Sequence, residues 1–169
     1  MKLYILRHAI AVDRAAPGYD EDSQRPLTDK GRRKMREIAK GMRRLDIAID
    51  RILTSPYVRA RQTAQIVARA FGLKKERVYQ TESLAPLGFP DQLVAEINQG
   101  FSGLENLMLV GHEPYLSELV GALTAGAPSA GIQLKKGGLC RLSVEVLNYD
   151  RCAMMDWLLT PAQLAAFGK

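Results

Sequence analysis

Apolar residues along the chain fall into short continuous runs separated by longer stretches in which they recur every three or four positions. The first run, Leu3, Tyr4, Ile5 and Leu6, stops abruptly at Arg7 and His8 and reads as a buried strand. Asp13, Pro17, Gly18, Asp20, Asp22, Ser23 and Pro26 mark 12–27 as irregular loop. Thr28 is placed to cap a helix whose buried stripe is Met35, Ile38, Ala39, Met42 and Leu45. A second strand over 52–54 runs into Ser55-Pro56. Ser55 there suits a helix cap and Pro56 a first helical turn, followed by the stripe Ala60, Ala64, Val67 and Phe71.

The pattern continues with a strand over 78–81, a helix over 90–100 and a continuously apolar strand over 107–110 that ends in Gly111-His112. Pro114 opens a further helix with Leu116, Leu119, Val120 and Leu123 on its apolar side, stopped by Gly126 and Pro128. The last third alternates instead. Leu142, Val144 and Val146 are interleaved with Ser143 and Glu145, a turn follows at Asn148-Tyr149-Asp150, and a second strand occupies 152–159. Strand–helix alternation followed by a hairpin predicts an α/β fold of three α/β/α layers, with a mostly parallel central sheet and an antiparallel C-terminal edge hairpin. With no internal repeat and no composition shift, 1–169 is expected to be a single domain.

Composition narrows the class. The 169 residues are 47% hydrophobic and 25% charged, as in ordinary globular proteins. The surplus of 24 Lys+Arg over 18 Asp+Glu, a net charge of +6, favours anionic partners. Its densest part, Lys30, Arg32, Arg33, Lys34, Arg36, Lys40, Arg43 and Arg44, lacks interleaved aromatics, so it reads as a charged helix face, and no nucleic-acid partner is expected. No apolar stretch approaches the ~20 residues of a membrane span, so no membrane partner is expected either. The first apolar run is too short for a signal peptide, and Cys140 and Cys152 lack metal-ligand spacing. Both cysteines read as reduced core thiols in a cytoplasmic protein.

In an open parallel sheet, ligands gather at the carboxyl ends of the strands. Both histidines of the chain stand at such ends, His8 after the first strand and His112 after the fourth, with Arg7 beside the first and Arg59 one turn past the second. Either histidine alone reads most simply as a hydrogen-bonded residue near the core. Two histidines and two arginines at one edge instead make a cationic pocket suited to a phosphoryl group. A neutral imidazole is a competent nucleophile at pH 7, and arginine forks neutralise the transferring group. No Cys or carboxylate stands beside the histidines to complete a zinc site, so no metal and no cofactor are expected.

These residues resemble the histidine phosphatase superfamily, the phosphoglycerate-mutase-like proteins, and within it the SixA-type phosphohistidine phosphatases. The resemblance is carried by Leu6-Arg7-His8, by the segment Thr54-Ser55-Pro56-Tyr57-Val58-Arg59 continued through Ala64, and by Gly111-His112-Glu113-Pro114. Arg25-Pro26-Leu27-Thr28 followed by Gly31 is similar to the SixA-type branch. The resemblance implies a phosphoglycerate-mutase-like fold, His8 as phosphorylated nucleophile, and Arg7, Arg59 and His112 as phosphate-binding catalytic residues.

Two positions depart from the family pattern. Ala9 stands where the family usually has Gly, which is tolerated only at negative φ. The carboxylate that larger members use as general acid has its nearest counterpart in Glu82, a position where a carboxylate is commonly just solvated. A protonated imidazole leaving group departs neutral and needs less acid help than an alkoxide. The expected activity is therefore metal-independent removal of phosphate from phosphohistidine on a signalling protein of the phosphotransfer type. The absence of a capping insertion implies a shallow, open pocket. The alternatives are a phosphomonoesterase for a small metabolite and, in a different class, a non-catalytic anion or nucleic-acid binding module.

Overall fold

The computed structural model describes Met1–Lys169. Six strands form one sheet: β1 (Lys2–Arg7), β2 (Arg51–Thr54), β3 (Val78–Gln80), β4 (Asn106–Gly111), β5 (Leu139–Val144) and β6 (Ala153–Leu159), in the order β3-β2-β4-β1-β5-β6. The four strands β3, β2, β4 and β1 run parallel, and β5 and β6 are antiparallel additions at one edge. The helices are α1 (Asp29–Arg44), α2 (Val58–Ala70), α3 (Pro90–Gly100), α4 (Tyr115–Ala125) and α5 (Pro161–Phe167), with short 3₁₀ turns at Asp22–Gln24, Lys75–Arg77 and Glu82–Leu84. The expected three-layer fold with its terminal hairpin is the one observed.

Strand periodicity divides the core. Leu3 and Ile5 of β1 and Leu107 and Leu109 of β4 join α3 and α4 on one face. Tyr4, Leu6, Met108 and Val110 point to the other, where α1, α2 and α5 pack. Because both faces are covered, β1 and β4 are apolar at every interior position. The functional edge is fixed by register: Arg7 pairs with Gly111, the His8 N–H donates to the Gly111 carbonyl (3.0 Å), and the Ser55 N–H donates to the Val110 carbonyl (3.0 Å). The ends of β1, β4 and β2 therefore meet at one level.

Four local expectations are corrected. The helix after β2 begins at Val58 rather than at Ser55, whose Oγ accepts from the Tyr57 N–H and turns the chain before the helix starts. Val146 lies beyond the hairpin strand and is exposed, while Leu147 takes the buried place. Both cysteines are free, but only Cys140 is buried and Cys152 is half-buried. The sequence pattern left α5 unread; it is a short helix held by a capping box between Thr160 and Gln163. No helix is long and apolar enough to cross a membrane.

Candidate active site

Arg7, His8, Arg59 and His112 are brought together at the carboxyl edge of the sheet. The rings of His8 and His112 are 5.1 Å apart between centroids, and Arg59 Nε donates to His8 Nε2 at 3.3 Å. Arg59 reaches the site from the first turn of α2, where its guanidinium lies over the Tyr57 ring (4.9 Å), and Tyr57 also meets His112 edge-on. Thr63, one turn further, accepts from the Ala9 N–H and donates to the Arg59 carbonyl. It ties the segment after the first histidine to the helix that carries the arginine.

The tautomer of His8 follows from one contact. Nδ1 lies 2.7 Å from the Ala9 carbonyl oxygen, which can only accept, so Nδ1 carries the hydrogen. Nε2 is then the nitrogen with the free lone pair, consistent with its accepting from Arg59. Burial, opposed by the Ala9 hydrogen bond but reinforced by the charges of Arg59, Arg7 and Lys136, lowers the His8 pKa to about 3. Burial, then the neighbouring His8 and Arg59, lowers that of His112 to about 2. Both imidazoles are neutral at pH 7. His112 Nε2 is 2.8 Å from Ser55 Oγ, and its Nδ1 is buried with no partner.

His8, Arg59 and His112 are only 7%, 4% and 2% exposed, and the 3₁₀ turn at Asp22 closes over Arg59. Arg59 Nη1 donates to the Asp22 carbonyl (2.6 Å) and Nη2 to Asp22 Oδ2 (2.8 Å), while Asp22 Oδ1 takes Arg25 Nε and Nη2. With Nε on His8, two of the five guanidinium hydrogens remain uncommitted. Burial favours the neutral acid at Asp22, but the hydrogen bonds from Arg25 and Arg59 outweigh it and hold its carboxyl well below the usual range. Burial likewise lowers the Arg59 pKa, opposed by Asp22.

The departure at Ala9 is absorbed, since Asp46 is the one non-glycine residue with positive φ and Ala9 is packed in the core. Glu82 is exposed in its 3₁₀ turn after β3, a turn that packs against β4, and its carboxylate makes no hydrogen bond to the four site residues. No group of three or more His, Cys, Asp or Glu side chains is arranged to hold a metal ion. Asp22, Ser55 and Thr63 enter the site without having been assigned a role there from sequence. Ser55 sits at a strand end where a search for polar side chains finds it, whereas Asp22 is one of several acidic residues in an irregular loop.

The family model described as histidine phosphatase superfamily (branch 1) matches residues 3–89. The chain belongs to the histidine phosphatase superfamily. It is 32% identical over 128 residues to the phosphohistidine phosphatase SixA of Escherichia coli (strain K12), covering 75% of this chain and 76% of that protein. It is 40% identical over 143 residues, 84% of each, to an uncharacterized protein of Picosynechococcus sp. (strain ATCC 27264 / PCC 7002 / PR-6). The solved structure of the protein histidine phosphatase SixA complexed with tungstate superposes with a TM-score of 0.82 at 25% identity, over 97% of this chain and 99% of that one. Within that superfamily the chain is of the SixA type.

Proposed function

We propose that this chain is a phosphohistidine phosphatase that works without a metal and acts on a phosphorylated signalling protein through a covalent phospho-His8 intermediate. The observation that carries this reading is the state of His8: neutral, with Nδ1–H committed to the Ala9 carbonyl and Nε2 free beside Arg59. Nε2 attacks phosphorus, the P–N bond to the substrate imidazole breaks, and that imidazole leaves neutral when its other nitrogen carries a hydrogen. Arg7, Arg59 and His112 hold the nonbridging oxygens and neutralise their charge. Water then attacks phospho-His8, releasing inorganic phosphate and returning the imidazole.

His112 can serve as a neutral donor. If the Ser55 hydroxyl donates to Nε2, the ring hydrogen sits on Nδ1, the nitrogen that has no partner within the protein. The SixA structure that superposes on this chain holds tungstate, a tetrahedral oxyanion of phosphate-like shape. That supports an oxyanion site here.

The test is phosphate release from a phosphohistidine peptide and from a phosphorylated phosphotransfer domain, compared with a panel of sugar and nucleoside phosphates. His8→Ala abolishes turnover, and trapped wild-type enzyme carries acid-labile, base-stable phosphate. Wild-type-like activity in His8→Ala overturns the mechanism, and preference for the phosphomonoesters overturns the substrate class. Chelation by EDTA leaves the rate unchanged; a loss restored by added metal overturns metal independence.

A further inference from the structure

A cavity of about 500 Å³ opens beside Arg7, and none of His8, Arg59 and His112 lines it. Its wall holds Arg7, Lys34, Lys135 and Lys136 over an apolar floor that includes Ile10 and Pro161, and no acidic residue borders it. The three lysines are exposed and none takes part in an ion pair. Cations gathered in one concavity without a counter-charge repel one another and raise the local concentration of anions. Nothing in the packing of the fold requires them there.

The segment that presents two of these lysines is pinned on both sides to Arg7. Before them, Leu134 is wholly buried; its N–H donates to Glu113 Oε1 (2.9 Å) and its carbonyl accepts from Arg7 Nη1 (2.8 Å). After them, the Gly137 N–H donates to the Arg7 carbonyl and the Arg7 N–H to the Gly138 carbonyl, both at 3.1 Å. Gly137 has φ +83° and Gly138 follows directly into β5, so the turn places Lys135 and Lys136 at a fixed distance from the strand that carries His8. The charge of Lys136 is near enough to His8 to contribute to keeping that imidazole neutral.

We infer that this cavity receives acidic side chains flanking the phosphohistidine of a protein substrate, with Lys34, Lys135 and Lys136 as specificity-determining contacts. The inference rests on the phosphohistidine reading above and names the partner surface that reading lacks. Arg7 lines the cavity while His8, Arg59 and His112 do not, so an occupant sits beside the phosphoryl site and is joined to the reacting group through a scaffold that spans both. Exposed lysines on flexible stems around an apolar floor suit carboxylates on a folded surface, and rim charges of this kind act on encounter and selectivity.

The experiment uses the full chain and two phosphohistidine peptides of equal length, one flanked by Glu and one by Gln. At low ionic strength the wild type is expected to prefer the Glu-flanked peptide by about tenfold in kcat/KM, a preference that shrinks with added salt. The combined Lys34→Gln, Lys135→Gln and Lys136→Gln variant brings the ratio close to one, and the single Lys136→Gln variant moves it the same way should the triple fold poorly. Equal wild-type rates on the two peptides, with phosphoramidate still turned over, overturn the docking site and leave the phosphatase reading standing. No turnover of phosphoramidate or either peptide overturns both. A wild-type ratio in the lysine variants overturns their assignment, and a lysine-dependent preference for a bisphosphorylated sugar over the Glu-flanked peptide gives the cavity to a metabolite instead.

Discussion

Asp22 shows how a single side chain conditions the site without belonging to any of the motifs that led to it. It places one carboxylate oxygen on Arg59 and the other on Arg25, while its carbonyl takes the second terminal nitrogen of Arg59. Asp22→Ala leaves a buried guanidinium with one fewer charged partner, which costs about 1.5–3 kcal/mol of stability, read from urea unfolding midpoints. On the proposed mechanism, turnover of phosphoramidate falls about tenfold because Arg59 loses its fixed orientation beside His8. Unchanged stability and turnover would show that Arg59 is positioned by α2 alone. His8, Arg59 and His112 were legible because chemically specific residue types stood directly after apolar runs or one turn on. Asp22 was not, since Asp13, Asp20 and Glu21 share its loop and only the three-dimensional closure over Arg59 selects it.

At the level of elements, α1 is more than a covering helix. Its cap is the Thr28 side chain accepting from the Gly31 N–H, and Gly31 presses against the segment that follows His8. A Cβ at Gly31 would lie 2.0 Å from the Ile10 carbonyl oxygen, so Gly31→Ala must displace backbone two residues from His8 and next to the Ala9 carbonyl that sets its tautomer. The expected result is a loss of about 1–3 kcal/mol from overpacking, against the ~1 kcal/mol that alanine gains in helix propensity, together with reduced kcat. Gly100→Ala at the end of α3 is the control, because a Cβ there meets nothing within 4 Å; its unfolding midpoint stays level or rises. A Gly31→Ala enzyme as stable and active as the wild type would refute the close-packing account. The long amphipathic helices and apolar strands were readable by period, whereas α5 was not: with seven residues and only Leu164 buried, it carries too little periodic signal, although Thr160 and Gln163 spell out its cap. Ser55 misled for a related reason, since its hydroxyl serves the Tyr57 N–H and His112 instead of a helix end.

For the whole molecule, the sequence patterns carried the layers and the terminal hairpin, but not the insertion of β4 between β1 and β2, which depends on long-range pairing that no local signal records. That pairing buries both histidines, and their burial sets how stability responds to acid. Their folded pKa values of about 3 and about 2 lie below the ordinary ~6.5 of an unfolded chain. The unfolded state therefore binds up to two more protons as pH falls below ~6.5, and stability, fully present above that pH, declines by up to about 2.7 kcal/mol per pH unit. Asp22 and Asp156, held below the usual carboxylate range despite burial by their arginine and serine hydrogen bonds, act with the same sign at lower pH: their contribution is present above ~4 and lost as they protonate in the fold. The carboxylates thus add nothing to the decline until the histidine window is well under way. Urea midpoints are expected to stay nearly level from about pH 7.5 to about pH 6.5 and then to fall toward about pH 5, and His8→Gln or His112→Gln to remove about half of that slope each. A midpoint that stays flat over this range, or a slope unchanged by either substitution, would mean that the two imidazoles take up protons within the folded protein and are not kept neutral by its packing.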